Sequence, residues 1–362
     1  MKKKCLIGMS GGVDSSVSAA LLLEMGYEVE GLTITPFRVD PSCRQLETEK
    51  SCCSAKSLQD AHNVCEQLGI KHHLVDLTEA FKEQIVSKFI QDYLSGKTPN
   101  PCVLCNPLIK WEGLIKTAEK FGCDYVSTGH YAKINYNKKN KRYYISKGAD
   151  PTKDQSYFLW KLSQEQLSKT IFPLADYKKT EIKEIAGKLN LYVEKKPESQ
   201  EICFIPDNNY HNFLENNVTD IRQRIGKGNI FFNDKIIGQH NGYPFYTIGQ
   251  RKGLGISHTK PLYVKSINAK ENILVVAEDD DISSISLIAN ELNFQKYLEF
   301  DEEKIFNVKI RYKDKGSEAK CIMLENGTLH VKLLEKKKAV TPGQSVVIYE
   351  DNDLVAGGII FE

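Results

Sequence analysis

A short apolar run, two glycines and an immediate helix start constrain this chain more than any other feature. Residues 5–9 (Cys-Leu-Ile-Gly-Met) read as a buried strand and 15–25 as a helix that stops at Gly26, and between them lies Ser10-Gly11-Gly12-Val13-Asp14-Ser15-Ser16. Glycine lets the backbone turn tightly and approach an anion, while the N–H groups of a helix start point at it from the positive end of the dipole. Ser15 and Ser16 add hydroxyls in the first turn. The spacing G-x-x-x-x-G-K-[ST] occurs nowhere, which argues against a P-loop hydrolase. A phosphate-binding turn of this type predicts an α/β unit with a parallel sheet.

The first 130 residues supply the rest of that sheet. Strands are expected at 27–34, 72–77 and 125–128, alternating with helices at 54–68, 79–94 and 110–121. Such alternation gives a mainly parallel sheet with helices on both faces, whose ligands sit at the carboxyl ends of the strands. The candidate loops are therefore 10–15, the segment after Ile34, and Gly129-His130. Beyond about residue 205 the texture changes to short strands at 229–232, 263–267, 272–277, 306–311, 328–334 and 345–349, separated by Gly, Asn and Asp turns. Three units are expected: 1–205 as a catalytic α/β domain, 206–280 as a small, mainly β domain, and 281–362 as a β-barrel. Asn137 to Arg142 (NKKNKR) reads as an exposed basic hairpin tip.

Lys plus Arg number 49 and Asp plus Glu 47, so the net charge of +2 excludes a strongly basic nucleic-acid-binding composition. A local basic face remains open, because residues 304–338 hold ten basic and four acidic side chains. Arg311-Tyr312-Lys313 lies within that window and offers a guanidinium and an aromatic face, suited to phosphate contact and base stacking. Gln250-Arg251-Lys252 with Gly253 and Gly255 reads as a basic glycine loop. The apolar run after Lys2-Lys3-Lys4 is too short for a signal peptide, and no stretch approaches the roughly 20 apolar residues of a membrane span. The expectation is a cytoplasmic protein with no membrane segment.

Ten cysteines are too few for a disulfide scaffold, yet unevenly placed: Cys52-Cys53 are adjacent, and Cys102 and Cys105 form C-x-x-C. Cys5, Cys65, Cys123 and Cys321 stand in apolar contexts and read as small buried side chains. Asn100-Pro101-Cys102-Val103-Leu104-Cys105-Asn106 reads as a Pro-punctuated loop ahead of the helix at 110; Cys203 lies in a second segment, Gln200 to Ile205. A thiolate near a helix start is a strong nucleophile, and two thiols that converge can carry sulfur, one as a persulfide and the other resolving it.

Ser10-Gly11-Gly12-Val13-Asp14-Ser15 resembles the signature of the PP-loop ATP pyrophosphatases, which adenylate an oxygen and release pyrophosphate. Further matches extend over nearly the whole chain: Thr98-Pro99-Asn100-Pro101 with Cys105-Asn106, Thr128-Gly129-His130-Tyr131, Lys153 to Leu159 (KDQSYFL), Ile202 to Ile205 (ICFI), Thr247 to Gly255 (TIGQRKGLG) and Thr341-Pro342-Gly343-Gln344. Together these resemble the tRNA 2-thiouridylase (MnmA/TrmU) family. The resemblance implies an N-terminal PP-loop, Rossmann-type adenine nucleotide alpha hydrolase-like domain, a small central domain and a C-terminal β-barrel. It implies ATP, with Mg2+, as the activating substrate, at Gly8, Met9, Ser10, Gly11, Gly12, Val13, Asp14, Ser15, Ile34 and Gly129. It also implies a monomer that thiolates the wobble uridine of tRNAs for Lys, Glu and Gln, fed by a persulfide-donating sulfur carrier or cysteine desulfurase. On that template Cys203 carries the persulfide and Cys105 completes transfer, leaving a Cys105–Cys203 disulfide. Asn100, Pro101 and Cys102 match the segment that meets the target base; His130, Lys153, Asp154, Gln155, Arg311, Tyr312 and Gln344 match tRNA-contacting positions.

One departure is notable. The family pattern reads N-P-D-x-x-C-N, and Cys102 stands where the aspartate belongs. Cys102, Cys105 and Cys203 together would suit a site-differentiated [4Fe–4S] cluster whose open iron binds sulfide, so relay and cluster both remain open in the sequence. Cys52 and Cys53 would be further ligands or structural. Two rivals of other kinds are a PP-loop synthetase acting on a small molecule and a non-catalytic tRNA-binding module.

Overall fold

The computed structural model describes residues 2–36, 55–191, 202–205 and 207–361. Its N-terminal unit runs β1 (Lys4–Gly8), α1 (Val13–Glu24), β2 (Glu28–Thr35), α2 (Ala55–Gln67) and β3 (Lys71–Asp76). There follow α3 (Thr78–Phe81) and α4 (Ser87–Leu94), joined through a π-helical turn at Lys82–Val86, then α5 (Pro101–Cys105) and α6 (Glu112–Phe121), joined by a second at Asn106–Trp111. The unit continues with β4 (Tyr125–Ser127), the hairpin β5 (Ala132–Asn137) and β6 (Arg142–Lys147), α7 (Gln164–Ser168), β7 (Thr170–Ile171) and α8 (Lys179–Lys188). The sheet order is β3-β2-β1-β4-β7 and every pairing is parallel.

Successive residues of a strand face opposite ways, and β1 follows this closely. Cys5 and Ile7 enter the layer made with α1, α2 and α8, among Val17, Leu21, Ala61, Val64 and Ile182. Leu6 enters the layer on the other face, with Leu114, Ile115, Ala118 and Val126. The helix expected from 110 in fact begins at Pro101. Proline's fixed φ suits the first helical position, so the Pro-punctuated segment is the first turn of a helix and not a loop. The π-helical turn falls around Pro107, which lacks the N–H a regular helix would use there.

The central unit contains α9 (Tyr210–Asn217), α10 (Ile221–Ile225), β8 (Gly228–Phe232), β9 (Lys235–His240), β10 (Tyr263–Asn268) and β11 (Ile273–Ala277), with sheet order β10-β11-β8-β9. The short strands expected of this mainly β unit did not announce its two helices. Asn209 caps the first by accepting from Asn212 N at 3.2 Å. This unit packs on α4: Phe89 and Tyr93 share a core with Leu214, Ile230, Tyr243 and Phe245, and Tyr243 OH donates to Leu94 O at 2.6 Å.

The last unit is β12 (Ser283–Phe294), β13 (Phe306–Lys309), β14 (Ser317–Met323), β15 (Leu329–Lys338), β16 (Ser345–Glu350) and β17 (Asp353–Ile360). The order β12-β15-β14-β13-β16-β17, with β17 returning to pair with β12, closes a six-stranded antiparallel barrel. The β5–β6 hairpin adds to β17 through Ser146 and Asp353, although it belongs to the N-terminal stretch of chain. The tip lysines Lys138, Lys139 and Lys141 are exposed as expected, while Arg142 ties the end of the tip to the barrel by donating to the carbonyls of Phe294 and Gln295. Tyr157 and Trp160 share one core with Val347, Tyr349 and Leu354, and a Cβ at Gly357 would lie 2.5 Å from the Trp160 ring. The barrel and the parallel sheet are thus fused by the segment 153–160.

The basic window on the barrel is partly neutralised. Lys337 pairs with Asp314 at 2.6 Å with both side chains nearly buried, Lys338 pairs with Asp279, and Lys304 pairs with Glu350 at 2.8 Å. Among the described residues no helix is long and apolar enough to cross a membrane.

Candidate functional site

The glycine turn ends β1 at its carboxyl end. Gly12 is the extended N-cap of α1 and no side chain caps it, so the first-turn N–H groups face the crevice. Gly11 has φ +66°, and a Cβ there would sit 2.1 Å from the Ser57 carbonyl oxygen. No other residue fits. The turn is tightened from inside: Ser10 N donates to Ser15 Oγ at 3.3 Å, Ser15 Oγ donates to Gly12 O at 3.1 Å, and the two hydroxyls lie 3.2 Å apart. Met9 is buried behind it, held by Leu32 O and by Thr33, whose hydroxyl donates to Met9 O at 2.8 Å. Gly8 and Val13 flank the turn, and Gly129 closes it from the neighbouring strand, where a Cβ would lie 2.8 Å from Asp14 C and Ser15 N. Ile34, one residue from the end of β2, packs under Gly113.

Asp14 carries two partners that the sequence did not suggest. Its Oδ1 accepts from Tyr131 OH and from Lys179 Nζ, each at 2.7 Å. Lys179 opens α8, so it arrives 165 residues along the chain with a nearly buried ammonium. No local pattern announces it; Tyr131, by contrast, stands one place beyond the ligand-facing Gly129-His130 pair.

Cys102 and Cys105 lie in the first turns of the helix begun at Asn100, the extended N-cap, and at the buried Pro101. Cys105 and Cys203 pack against the same small cluster of Phe81, Ile85 and Ile109. Phe204 anchors the Cys203 segment, meeting Phe81, Phe89 and Phe213 edge-on or tilted at 5.2–5.6 Å. The two sulfur-bearing segments therefore share one wall, although about a hundred residues separate them in sequence. Asn106, next to Cys105, is buried; its Nδ2 donates to Phe158 O at 2.9 Å and its Oδ1 has no partner. No group of three or more His, Cys, Asp or Glu side chains that could hold a metal ion occurs among the described residues. The three-cysteine ligand set expected for a cluster is thus not assembled among the described residues. Cys52 and Cys53 lie outside the described residues. Cys5, Cys65 and Cys321 are buried, and burial pushes the Cys65 and Cys321 thiols up to about 12 and that of half-buried Cys123 to about 11.

His130 Nδ1 shares a hydrogen bond with Thr128 Oγ1 at 2.8 Å, and its ring lies between Trp111 and Phe172. Burial, with Lys110 adding, lowers its pKa to about 3. In the free protein it is therefore neutral at neutral pH and can offer a base a hydrogen bond. Of the remaining expected tRNA contacts, Arg311 is exposed and Lys153 is half-buried, whereas Tyr312 lies against Phe158 with centroids 4.5 Å apart. Asp154 departs from the expectation. It is buried and accepts from Ser156 N and Oγ, and Ser156 meets Tyr349 OH at 2.9 Å. Gln155 is paired with the backbone of Tyr131 in both directions, each at 3.0 Å. Gln344 donates to Thr98 O at 2.8 Å. These last three face the protein's own segments, holding the crevice walls.

Residues 3–207 match the family model described as tRNA methyl transferase HUP domain, 211–278 that of the tRNA methyl transferase PRC-barrel domain, and 284–360 that of the aminomethyltransferase beta-barrel domain. The chain is 45% identical over 363 residues to a protein of Salinibacter ruber named tRNA-specific 2-thiouridylase MnmA, covering 100% of this chain and 95% of that one. It is 47% identical to tRNA-specific 2-thiouridylase MnmA 2 of Thermoanaerobacter sp., with 99% and 98% covered. A third relative, tRNA-specific 2-thiouridylase MnmA of Clostridium beijerinckii, is 45% identical with 99% of each chain covered.

Proposed function

Because this chain belongs to the MnmA family of tRNA-specific 2-thiouridylases, we propose a specific route by which its residues carry out tRNA-uridine 2-sulfurtransfer. The wobble uridine of tRNAs for Lys, Glu and Gln is held between the Asn100–Cys102 segment and neutral His130. The N–H groups of the Ser10–Ser15 turn bind the β- and γ-phosphates of ATP, and the O2 oxygen of the base attacks the α-phosphorus, releasing pyrophosphate. Asp14 is the turn's one carboxylate and suits a magnesium ion carried in with the phosphates; Tyr131 and Lys179 fix its orientation.

The terminal sulfur of a Cys203 persulfide then attacks C2, and AMP leaves with the oxygen. The Cys105 thiolate attacks the Cys203 sulfur, the S–S bond to the base breaks, and its electron pair stays on the new 2-thiouridine. The product Cys105–Cys203 disulfide takes two electrons and two protons from an external thiol reductant. A sulfur carrier or cysteine desulfurase reloads Cys203, and the enzyme works in the cytoplasm as a monomer. The observation that supports this reading is the shared wall of Cys105 and Cys203 against Phe81, Ile85 and Ile109. The test is thiolation by Cys203→Ser and Cys105→Ser enzymes supplied with ATP, tRNA and a persulfide donor. Both should release pyrophosphate in a tRNA-dependent way and neither should form 2-thiouridine; full thiolation by Cys203→Ser would remove the relay.

A further inference from the structure

Phe81, Ile85, Phe89 and Tyr93 recur every fourth residue along the continuous helical run from α3 through its π-helical turn to α4, so they line one face of it. All four are buried. The two halves of that face serve different neighbours. Phe81 and Ile85 form the wall shared by Cys105 and Cys203, whereas Phe89 and Tyr93 enter the core of the central unit with Leu214, Ile230 and Phe245. Phe204 spans the division. Its ring meets Phe81 at 5.6 Å and Phe89 at 5.2 Å, both edge-on, and Phe213 of α9 at 5.2 Å. Cys203 and Phe204 are the two middle residues of one hydrogen-bonded turn, closed by Ile205 N donating to Ile202 O at 2.9 Å. Asn208 N donates in turn to Ile205 O at 3.0 Å, and Ile202 and Ile205 both pack into the central unit's core. The Cys203 side chain that packs on the N-terminal wall therefore stands on a turn that the central unit holds. That unit is seated on the helix in two further places: Tyr243 OH donates to Leu94 O at 2.6 Å, and Gly96, at φ +74°, lies where a Cβ would come 3.1 Å from Ile267 Cγ2.

We infer that Phe204 is a positioning residue for sulfur transfer: its ring, seated between the N-terminal helix and α9, sets where the Cys203 sulfur stands against Cys105. This rests on the thiouridylase reading and extends it, because it gives the central unit a part in the chemistry. In the transfer step the Cys105 thiolate bonds to the Cys203 sulfur while the bond from that sulfur to the base-bound sulfur breaks, and the electron pair leaves with 2-thiouridine. Such a displacement needs the attacking sulfur close and aligned, and a misplacement of about 1 Å costs on the order of 100-fold in rate. Adjacent positions of one closed turn move together, so the contacts that hold Phe204 also hold Cys203, and rings from two units restrain it from different sides. Adenylation rests on the Ser10–Ser15 turn and does not use this joint. The joint bears on the transfer step and on the balance between the two thiols and their disulfide.

The experiment uses the full chain with Phe204→Ala, which removes the ring, and Phe204→Met, which keeps an apolar side chain of similar reach. Melting temperature and tRNA-dependent pyrophosphate release are measured first. Cys203, preloaded as a persulfide, is then followed through one turnover to 2-thiouridine at saturating ATP and tRNA. Last, without ATP or tRNA, the Cys105–Cys203 disulfide is brought to equilibrium with a glutathione redox buffer and quantified by peptide mapping. For Phe204→Ala the expected results are pyrophosphate release within about threefold of the parent, single-turnover transfer down roughly 10- to 100-fold, and a disulfide equilibrium shifted about tenfold or more toward the thiols. Phe204→Met recovers most of both. A Phe204→Ala enzyme that transfers sulfur and forms the disulfide as the parent does would overturn the inference. So would pyrophosphate release that falls as far as transfer, together with the melting temperature, because the ring would then serve only the fold. If the parent protein itself forms no 2-thiouridine, it is the thiouridylase reading that fails, and the disulfide equilibrium still decides for or against Phe204.

Discussion

Gly11→Ala attacks the phosphate turn with an atom for which the fold has no room. The added Cβ would sit 2.1 Å from Ser57 O, 3.0 Å from Ser57 C and 3.2 Å from Asp60 Cβ, in a backbone with φ +66°. Ordinary contact begins near 3.4 Å, so the turn and the start of α2 must separate by about 1.3 Å. The left-handed backbone costs a non-glycine residue a further 1–2 kcal/mol, roughly. Neither change touches Cys105, Cys203 or the barrel. Displacement by about 1 Å should cost on the order of 100-fold in the adenylation step, with a fall in melting temperature of only a few degrees. The assay is tRNA-dependent pyrophosphate release at saturating ATP and tRNA, with persulfide loading of Cys203 followed in parallel by mass spectrometry. Loading should be unchanged. Adenylation within twofold of the parent, in a protein that folds, would show that the turn does not hold the triphosphate.

Lys179→Met should raise the ATP concentration needed for half-maximal pyrophosphate release by about tenfold or more while leaving tRNA affinity unchanged, because it frees Asp14 from its cationic partner at 2.7 Å. Unfolding followed against pH should show stability falling as pH drops below about 6.5: burial holds His72 down to about 4, with His62 and His73 adding, and His130 to about 3. The native state stays neutral at both sites while the unfolded chain takes up the protons, so the loss runs from 6.5 toward those values, and His72→Gln should flatten it. With a thiol reagent at pH 8, Cys5, Cys65 and Cys321 should label last in the folded protein: burial pushes Cys65 and Cys321 to about 12, which leaves on the order of a thousandth of an ordinary cysteine's thiolate, and pushes Cys5 further up still. Early labelling of Cys321 would argue against the barrel core.

The chemistry of this chain was legible where it depends on neighbours in sequence. The strand, the glycine pair and the helix start of residues 5–25 define their own geometry, and the β1 residues sort to two faces by simple alternation. Legibility fails where partners are distant. Lys179 reaches Asp14 across 165 positions with no periodic signal, and Gln344 reaches Thr98 across 246. The Lys153–Leu159 motif is similar in kind: its aromatic residues fuse two domains and its Asp154 is buried, a packing task that its sequence does not announce. Pro101 is ambiguous for a local reason, as the same residue type that ends a helix also starts one. The charge count of 304–338 could not show that Lys304 and Lys338 pair with Glu350 and Asp279, which lie outside that window.

The decisive measurement is a single turnover with Cys203 preloaded as a labelled persulfide, mixed with ATP and tRNA for Lys, Glu or Gln, then quenched and resolved for tRNA, nucleotide and protein. The account expects label at the wobble uridine as 2-thiouridine, one AMP and one pyrophosphate for each sulfur moved, and a Cys105–Cys203 disulfide in equal amount. Label that stays on the protein while AMP is formed, or thiolated tRNA with no such disulfide, would mean that these two cysteines do not carry the sulfur.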